Sequence, residues 1–157
     1  VHAAAGGVGI LATQIAVAAG ARVIGTASPG NHDALRALGA EPVEYGDGLA
    51  DRVLALAPDG VDVVVDCVGG VLETTQAVLK PGGRHGSIAD GSVAGAGGIY
   101  AWVSPNGADL QALADLADAG QLTVPIAAAF PLEEVGDAFR LSQAGHVRGK
   151  IAIQVSR

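Results

Sequence analysis

The apolar residues of this chain fall into short β-branched runs that alternate with stretches of helical spacing. The runs predict strands at 22–26, 42–45, 61–67 and 84–88. The stretches between them predict helices at 7–19, through Leu35 and Leu38 to a stop at Gly39, at 49–56 and at 71–79. Because short loops join these elements in β-α-β-α order, right-handed crossovers and an α/β fold with a doubly wound parallel sheet are expected.

After Ala89 the pattern is less regular. Residues 90–98 hold four glycines without periodicity, which predicts a mobile loop, and 99–103 reads as a strand. An amphipathic helix is predicted at 108–119 and another helix at 132–141. The remaining segments are the run 122–130, which Pro125 places at a sheet edge or bulge, and a last strand at 150–155.

The first predicted strand is truncated. Only Val1 and His2 precede the small residues Ala3-Ala4-Ala5-Gly6-Gly7-Val8-Gly9, whereas a strand has about five or six residues on average. Either residues absent from this sequence supply the rest of the strand, or the sequence is a fragment. We favour a fragment.

The segment from Ala4 to Gly9 fits the spacing G-x-G-x-x-G, with Ala4 in the place of the first glycine. Gly6 lets the backbone approach a pyrophosphate, and Gly9 lets the helix pack closely on the strand. The N–H groups of Gly7, Val8 and Gly9 lie at the positive end of the helix dipole, where they can bind phosphate oxygens. A tight turn without a ligand is the alternative. Because a helix and a strand follow, we predict dinucleotide binding in a Rossmann fold.

The end of the next strand decides which dinucleotide is expected. NAD-binding units usually carry Asp or Glu about twenty residues past the loop, and this chain has Thr26-Ala27-Ser28 there. Hydroxyl groups of Thr26 and Ser28 can donate to a 2′-phosphate, and His32 or Arg36 can approach it. The alternative for Ser28 is a helix cap. We therefore predict NADP rather than NAD.

The strand 61–67 ends in Asp66-Cys67-Val68-Gly69-Gly70, at the sheet edge where open α/β sheets bind ligands. We expect Val68 and Gly69, with Cys67 beside them, near the cofactor. Cys67 is expected to be a small, buried, inert core residue rather than a catalytic thiol. Asp66 is expected either to orient a ribose or to cap the next helix.

No catalytic or metal-binding constellation is recognisable. His2, His85 and His146 lack the spacing of metal ligands, and we expect them to be structural or surface residues. Catalytic residues stay unknown, and no metal is predicted.

Composition and net charge restrict the kinds of core, partner and cellular location that we expect. The 157 residues include 24 glycines and 50% hydrophobic residues but only 3% aromatics, which favours a core of small aliphatic side chains. One cysteine excludes an internal disulfide, and a net charge of −7 argues against nucleic acid as a partner. No apolar run approaches the roughly 20 residues that span a membrane. We expect a soluble cytoplasmic protein acting on a small molecule.

These motifs, in order across nearly the whole chain, resemble the zinc-independent quinone oxidoreductase branch of the medium-chain dehydrogenase/reductase superfamily. Enoyl reductase domains of polyketide synthases share the glycine-rich loop. The matching segments are Val1-His2-Ala3-Ala4-Ala5-Gly6-Gly7-Val8-Gly9, Val23-Ile24-Gly25-Thr26-Ala27-Ser28, Asn31-His32-Asp33, Leu38-Gly39-Ala40, Val61 to Gly70, Leu79-Lys80-Pro81-Gly82-Gly83-Arg84, Phe130-Pro131-Leu132 and Arg148-Gly149-Lys150-Ile151.

The resemblance implies an NADPH-dependent reductase that transfers a hydride to quinones, enones or similar carbonyl compounds without a metal. Tyr45 matches a tyrosine beside the adenosine 2′-phosphate, and Asn31 stands where several relatives have a phosphate-binding lysine. Ile88 and Ala89 match a strand end near the nicotinamide. Arg148 and Lys150 match a segment that closes on the cofactor, with a solvated charge pair as the alternative.

The resemblance also implies a division of the chain. Residues 1–120 correspond to the dinucleotide-binding Rossmann domain, and 121–157 to a tail that packs on an amino-terminal GroES-like catalytic domain, which is missing here. The segment 99–103 matches an edge strand through which relatives form homodimers. Two other function classes stay open, a non-catalytic dinucleotide-binding module and a polyketide synthase enoyl reductase. A methyltransferase is disfavoured because the second strand ends without an acid.

Overall fold

Seven strands and six α-helices follow one another along residues 1–155, the part of the chain that this computed structural model describes. The strands are β1 (Val23–Thr26), β2 (Ala40–Val43), β3 (Val61–Asp66), β4 (Leu79–Ser87), β5 (Ile99–Tyr100), β6 (Ile126–Pro131) and β7 (Lys150–Gln154). The α-helices are α1 (Gly9–Ala18), α2 (His32–Ala37), α3 (Leu49–Leu56), α4 (Leu72–Val78), α5 (Gly107–Asp118) and α6 (Val135–Ala144). Short 3-10 helices cover Pro29–Asn31, Gly91–Ala96 and Leu132–Glu134.

Residues 1–4 join two parallel sheets into one. The first sheet pairs β1 with β2, and the second has the order β3, β4, β5. The Val1 ammonium donates to the Ile24 carbonyl at 2.8 Å, and on the other side the His2 N–H donates to the Val65 carbonyl at 2.9 Å. The spatial order is therefore β2, β1, residues 1–4, β3, β4, β5, which is that of a Rossmann sheet with a short first strand. The predicted fold class is confirmed.

The strands β6 and β7 form a separate parallel pair, here called the tail sheet. The Gln14 side chain of α1 exchanges two hydrogen bonds with the backbone of Thr123, at 2.9 and 2.8 Å. The Gly149 N–H donates to the Ala5 carbonyl at 3.2 Å. These contacts fix the tail sheet against α1 and the glycine-rich loop.

Small aliphatic side chains fill the interior, as the composition predicts. One buried cluster lies around β1 and α2, and the other lies between β3 and the helices α3 and α4. Their buried members are Ala4, Ala5, Val23, Ala27, Leu35 and Ala40 in the first cluster, and Val43, Leu49, Val53, Val64 and Val78 in the second. Among the described residues, no helix is long and apolar enough to cross a membrane.

Each predicted helix is present, but three predicted strands and one loop are wrong in their bounds. Strand β4 begins at Leu79 rather than Arg84, because Leu79 already pairs with Val61 ahead of an irregularity in the register. Strand β2 begins at Ala40 rather than Pro42, since the missing N–H of a proline is tolerated on an edge strand. The strand predicted at 99–103 stops at Tyr100, because its neighbour β4 ends at Ser87 and offers no further partner. The loop predicted at 90–98 contains a 3-10 helix, whose first turn is capped by Asp90.

Candidate functional site

A cleft of about 950 Å³ opens where β1 and β3 end, beside the glycine-rich loop. These ends flank the short first strand, so the cleft lies where the strand order of the sheet reverses. Six of the twelve residues predicted to bind the cofactor line it, namely Gly6, Thr26, Ser28, Tyr45, Val68 and Gly69. The fold thus brings together residues from four loops that are far apart in sequence.

The glycine-rich loop turns tightly into α1. The Gly6 N–H donates to the Ala3 carbonyl at 2.9 Å, and the Gly6 carbonyl accepts from the Ile10 N–H at 3.0 Å. Within residues 1–155, the amides of Gly7, Val8 and Gly9 donate no hydrogen bond to the chain. Free amides at the start of a ten-residue helix are suited to phosphate oxygens.

Two glycines of this loop have different steric roles. A Cβ on Gly9 would lie 2.1 Å from the Ala3 carbonyl oxygen, so the turn itself requires glycine there. A Cβ on Gly6 would meet only that same oxygen, at 3.3 Å, and otherwise open space in the cleft. Gly9 therefore serves the fold, and Gly6 keeps the cleft open.

A polar corner follows β1. The Ser28 hydroxyl oxygen accepts from the Asn31 side-chain amide at 3.0 Å, which leaves the hydroxyl proton for another acceptor. The side chain of Ser28 makes no capping bond, so its alternative role as a helix cap is not observed. Thr26 is buried, and its hydroxyl oxygen accepts from the Ala3 N–H at 3.0 Å. Thr26 therefore holds the short first strand, while Ser28 and Asn31 face the cleft.

The two basic candidates near this corner are occupied elsewhere. The His32 ring lies 3.2 Å from the Ala27 carbonyl, and Arg36 forms an exposed ion pair with Asp33 at 2.7 Å. Neither residue lines the cleft. Tyr45 does line it, and the guanidinium of Arg52 braces its loop by donating to the carbonyls of residues 44, 46 and 47.

Asp66 organises the loops at the ends of β3 and β4. Its buried carboxylate accepts from the Val68 and Gly69 amides at 2.8 and 2.9 Å, and from the Ser87 hydroxyl at 2.6 Å. The Ser87 oxygen in turn accepts from the Ala89 N–H at 3.0 Å. Burial opposes ionisation of Asp66, but these hydrogen bonds outweigh it, so the pKa of the carboxyl lies below its usual value.

This network replaces both roles expected for Asp66. The N-cap of α4 is Val71, without a side-chain cap, so Asp66 does not cap that helix. Both of its oxygens bind groups of the chain, which makes it a positioning residue rather than a ribose ligand. It sets the course of the loop containing Val68 and Gly69.

The other predicted cofactor-binding residues lie around the cleft but do not line it: Gly7, Val8, Gly9, Cys67, Ile88 and Ala89. Ala89 is nonetheless close, since a Cβ on Gly69 would approach it to 3.5 Å. Burial, then the Asp66 charge, raises the pKa of the half-buried Cys67 thiol, which keeps it protonated and unreactive.

Residues of the tail complete the wall, and sequence reasoning missed two of them. His146 and Val147 line the cleft, although they lie near the other end of the sequence from the loop. The side chain of Lys150 rests on the loop, with its Nζ 3.3 Å from the position of a Cβ on Gly7. Arg148 is exposed, and within residues 1–155 neither cation has an ion-pair partner.

His2 couples the folded state to pH. Burial, with the nearby Val1 ammonium, lowers the pKa of His2 to about 4, against a smaller opposite effect of Asp66. Below about pH 6.5, His2 therefore binds a proton in the unfolded chain but stays neutral in the folded chain. The free energy of unfolding falls as pH falls for this reason. We expect the free energy of unfolding, measured with urea, to fall between pH 7 and pH 5 by about 2 kcal/mol more in the parent chain than in a His2→Gln variant.

The exposed His146 supplies the control for this experiment. A His146→Gln variant should follow the parent curve, because its side chain is not buried. Equal pH dependence of His2→Gln and the parent would contradict the role of His2.

A family model described as zinc-binding dehydrogenase matches residues 38–153, more than half of the chain. The chain belongs to the zinc-binding dehydrogenase family. This family places it in the medium-chain dehydrogenase/reductase superfamily, as the motifs predict.

Several solved and curated proteins resemble this zinc-binding dehydrogenase chain. An NAD-dependent alcohol dehydrogenase is 30% identical with a TM-score of 0.88, over 99% of this chain and 50% of its own. The quinone oxidoreductase from Coxiella burnetii is 36% identical with a TM-score of 0.83, over 99% of this chain and 51% of its own. A phenolphthiocerol/phthiocerol polyketide synthase polypeptide of Mycobacterium tuberculosis is 34% identical over 99% of this chain and 8% of its own length. The chain thus spans about half the length of these solved structures and a small part of the synthase.

The family's description mentions zinc, but this part of the protein does not fit a zinc site. Among residues 1–155, no group of three or more His, Cys, Asp and Glu side chains is placed to hold a metal ion. Zinc independence of the whole protein stays a prediction.

Proposed function

We propose that this chain is the NADP-binding portion of an oxidoreductase that reduces a quinone, enone or similar carbonyl compound. The observation that carries the proposal is the cleft at the reversal of the strand order, with Gly6, Ser28, Tyr45 and Gly69 on its walls. Family membership supports nicotinamide dinucleotide as the ligand class. The bound nicotinamide would supply the hydride, and the substrate would take up one proton besides.

The glycine-rich loop, the corner after β1 and the loops after β3 and β4 have distinct tasks. The free amides of Gly7, Val8 and Gly9 bind the pyrophosphate, and the Lys150 ammonium beside Gly7 adds a positive charge. Ser28 and Tyr45 hold the adenosine ribose and its phosphate. The loops ordered by Asp66 place Val68, Gly69, Ile88 and Ala89 along the nicotinamide.

The preference for NADP rests on the corner after β1. Ser28 offers a hydroxyl proton and Asn31 lies beside it, while no carboxylate follows the strand as NAD-binding units usually require. The acidic residues of the lining, Asp47 and Glu73, lie on other elements, after β2 and on α4. A relative named as NAD-dependent makes the comparison of both cofactors necessary.

The substrate pocket and partners belong to the same proposal. The tail sheet and the elements around it expose Val124, Ile126, Leu132 and Phe139, which suits packing against a separate catalytic domain. A second exposed patch contains Ile99, Trp102 and Val103 and suits pairing with another copy of the chain. We expect the whole protein to be a cytoplasmic homodimer without a zinc requirement.

A polyketide synthase enoyl reductase is the second candidate function. It is supported by the synthase from Mycobacterium tuberculosis, which matches almost all of this chain within a much longer polypeptide. The cofactor and the hydride transfer are the same in both candidates, and the acceptor differs. A carrier-bound enoyl thioester and a free quinone are therefore the two substrates to compare.

Fluorescence titration with NADPH and NADH tests the cofactor, and loss of NADPH on addition of a simple quinone tests turnover. Tighter binding of NADPH than NADH is the expected result. Binding without turnover favours a cofactor-binding portion or a non-catalytic module. Failure to bind either dinucleotide would refute the proposal.

A Ser28→Asp variant should weaken NADPH binding about tenfold or more and change NADH binding less than about threefold. The new carboxylate would repel a 2′-phosphate but accept a hydrogen bond from a ribose hydroxyl. A Ser104→Asp variant carries the same charge on an exposed segment and should bind both cofactors as the parent does. Equal weakening of both cofactors by Ser28→Asp would place the phosphate elsewhere.

A further inference from the structure

A buried glutamine joins the helix of the glycine-rich loop to the tail. Gln14 lies in the middle of α1, and only 6% of its surface is exposed. Its Nε2 donates to the Ile10 carbonyl at 3.0 Å and to the Thr123 carbonyl at 2.9 Å, and its Oε1 accepts from the Thr123 N–H at 2.8 Å. Both N–H donors of the carboxamide are therefore used, and the side chain pairs with the Thr123 backbone as a peptide group would.

The segment that Gln14 holds leads directly into the contacts of the tail sheet. Two residues after Thr123, the Pro125 carbonyl accepts from the Lys150 N–H at 2.8 Å. A Cβ on Gly149 would lie 2.3 Å from that same carbonyl oxygen, so the backbone of Gly149 packs directly on Pro125. The course of the chain from Thr123 to Pro125 thus sets the position of the backbone at Gly149 and Lys150.

That backbone in turn places a cation on the glycine-rich loop. The Gly149 N–H donates to the Ala5 carbonyl at 3.2 Å, and the Lys150 Nζ lies 3.3 Å from the position of a Cβ on Gly7. Among residues 1–155, Lys150 has no ion-pair partner. An ammonium group beside free amides at the start of a helix strengthens the attraction for a phosphate group.

We propose that Gln14 is a positioning residue for dinucleotide binding, which fixes Thr123 and thereby holds the Lys150 ammonium over the glycine-rich loop. The inference rests on the proposed function, since it requires that the loop binds a pyrophosphate. Gln14 does not line the cleft, so its effect on affinity passes through the tail. Without the pair at Thr123, the lysine would lose rotamer freedom on binding that the tail otherwise restricts in advance.

A double-mutant cycle tests this role with four chains: the parent, Gln14→Met, Lys150→Met and the double variant. Methionine is unbranched and close in length to glutamine, but it has no N–H donor and only a weak acceptor. In the parent, Lys150→Met should weaken NADPH binding about tenfold. In the Gln14→Met background, the same change should weaken binding less than about threefold, because the ammonium is no longer held over the loop. Fluorescence titration measures each affinity.

Gln111 supplies the matched control. It lies on the exposed helix α5, where its Nε2 donates to the Asp115 carboxylate at 2.8 Å. A Gln111→Met variant should bind NADPH as the parent does, and Lys150→Met should still weaken binding about tenfold in that background. Equal factors for Lys150→Met in the parent and in Gln14→Met would overturn the role of Gln14.

Amide hydrogen exchange measures the link without any cofactor. The Gly149 amide should exchange about tenfold or more faster in Gln14→Met, while the Ala27 amide, which donates to the Val43 carbonyl, should change little. A general loss of stability would accelerate both amides, and unchanged exchange of Gly149 would overturn the proposal. If Gln14→Met does not fold, Thr123→Pro removes the N–H of the same pair at an exposed residue and is tested in its place.

The cycle also distinguishes this role from the proposed function on which it rests. A parent chain that binds neither NADPH nor NADH would refute the proposed function, and the role of Gln14 toward the cofactor with it. A parent chain that binds NADPH, together with equal factors for Lys150→Met in both backgrounds, would refute only the role of Gln14.

Discussion

Replacing Gly9 by alanine is expected to lower the free energy of unfolding by about 3 kcal/mol or more. The added Cβ would lie 2.1 Å from the Ala3 carbonyl oxygen, a distance that requires the backbone to move. That movement would strain the turn at Gly6 and break the pairing of residues 1–4 with β1 and β3. Urea unfolding followed by circular dichroism measures the loss.

Gly107 provides a matched control, since it is also the first residue of a helix. A Cβ there meets nothing within 4 Å, and Gly107→Ala should keep or raise stability. Similar losses in the two variants would show that the tight turn of the loop is not what requires glycine.

A Gly6→Val variant is expected to weaken NADPH binding about 100-fold while its stability stays within about 1 kcal/mol of the parent. The Cβ would touch only the Ala3 oxygen, at 3.3 Å, and the rest of the side chain would extend into the cleft. The valine would then occupy the space that a pyrophosphate needs beside the loop amides. Fluorescence titration measures the affinity, and the same unfolding experiment measures stability.

Comparing Gly6→Val with Gly9→Ala separates the effect of the loop on binding from its effect on folding, and Gly107→Ala is the control for both. Gly107→Ala should bind NADPH like the parent, because it lies outside the cleft. An unchanged affinity in Gly6→Val would refute the assignment of the loop as the pyrophosphate site.

The part of the fold that depends on local pattern was predictable from the sequence. The β-branched run at 61–67 and the short loops indicated a parallel sheet, and the spacing from Ala4 to Gly9 located the loop at its centre. The bounds of β5 were not predictable in this way. Its length depends on where the neighbouring β4 ends, which is a property of pairing rather than of the residues 99–103.

The candidate site also contains residues that local sequence pattern predicts and residues whose position depends on long-range contacts. Ser28 and Gly69 follow predicted strands and Tyr45 is the last residue of one, so their convergence at one edge could be inferred from parallel topology. His146 and Val147 come from the tail, whose return to the loop depends on long-range contacts such as Gln14 with Thr123. The bracing role of Arg52 likewise depends on the path of a loop that has no sequence signature.

The attachment of the tail sheet has a thermodynamic consequence. The Gly149 N–H donates to Ala5, and the Lys150 side chain rests on Gly7. The loop that would hold the pyrophosphate is therefore in direct contact with the tail sheet, which exposes Ile126. Any coupling between the binding free energies at the two sites is reciprocal. A protein surface that docks on the tail sheet and changes dinucleotide affinity by some factor would itself be bound more tightly or more weakly by that same factor once the dinucleotide is bound.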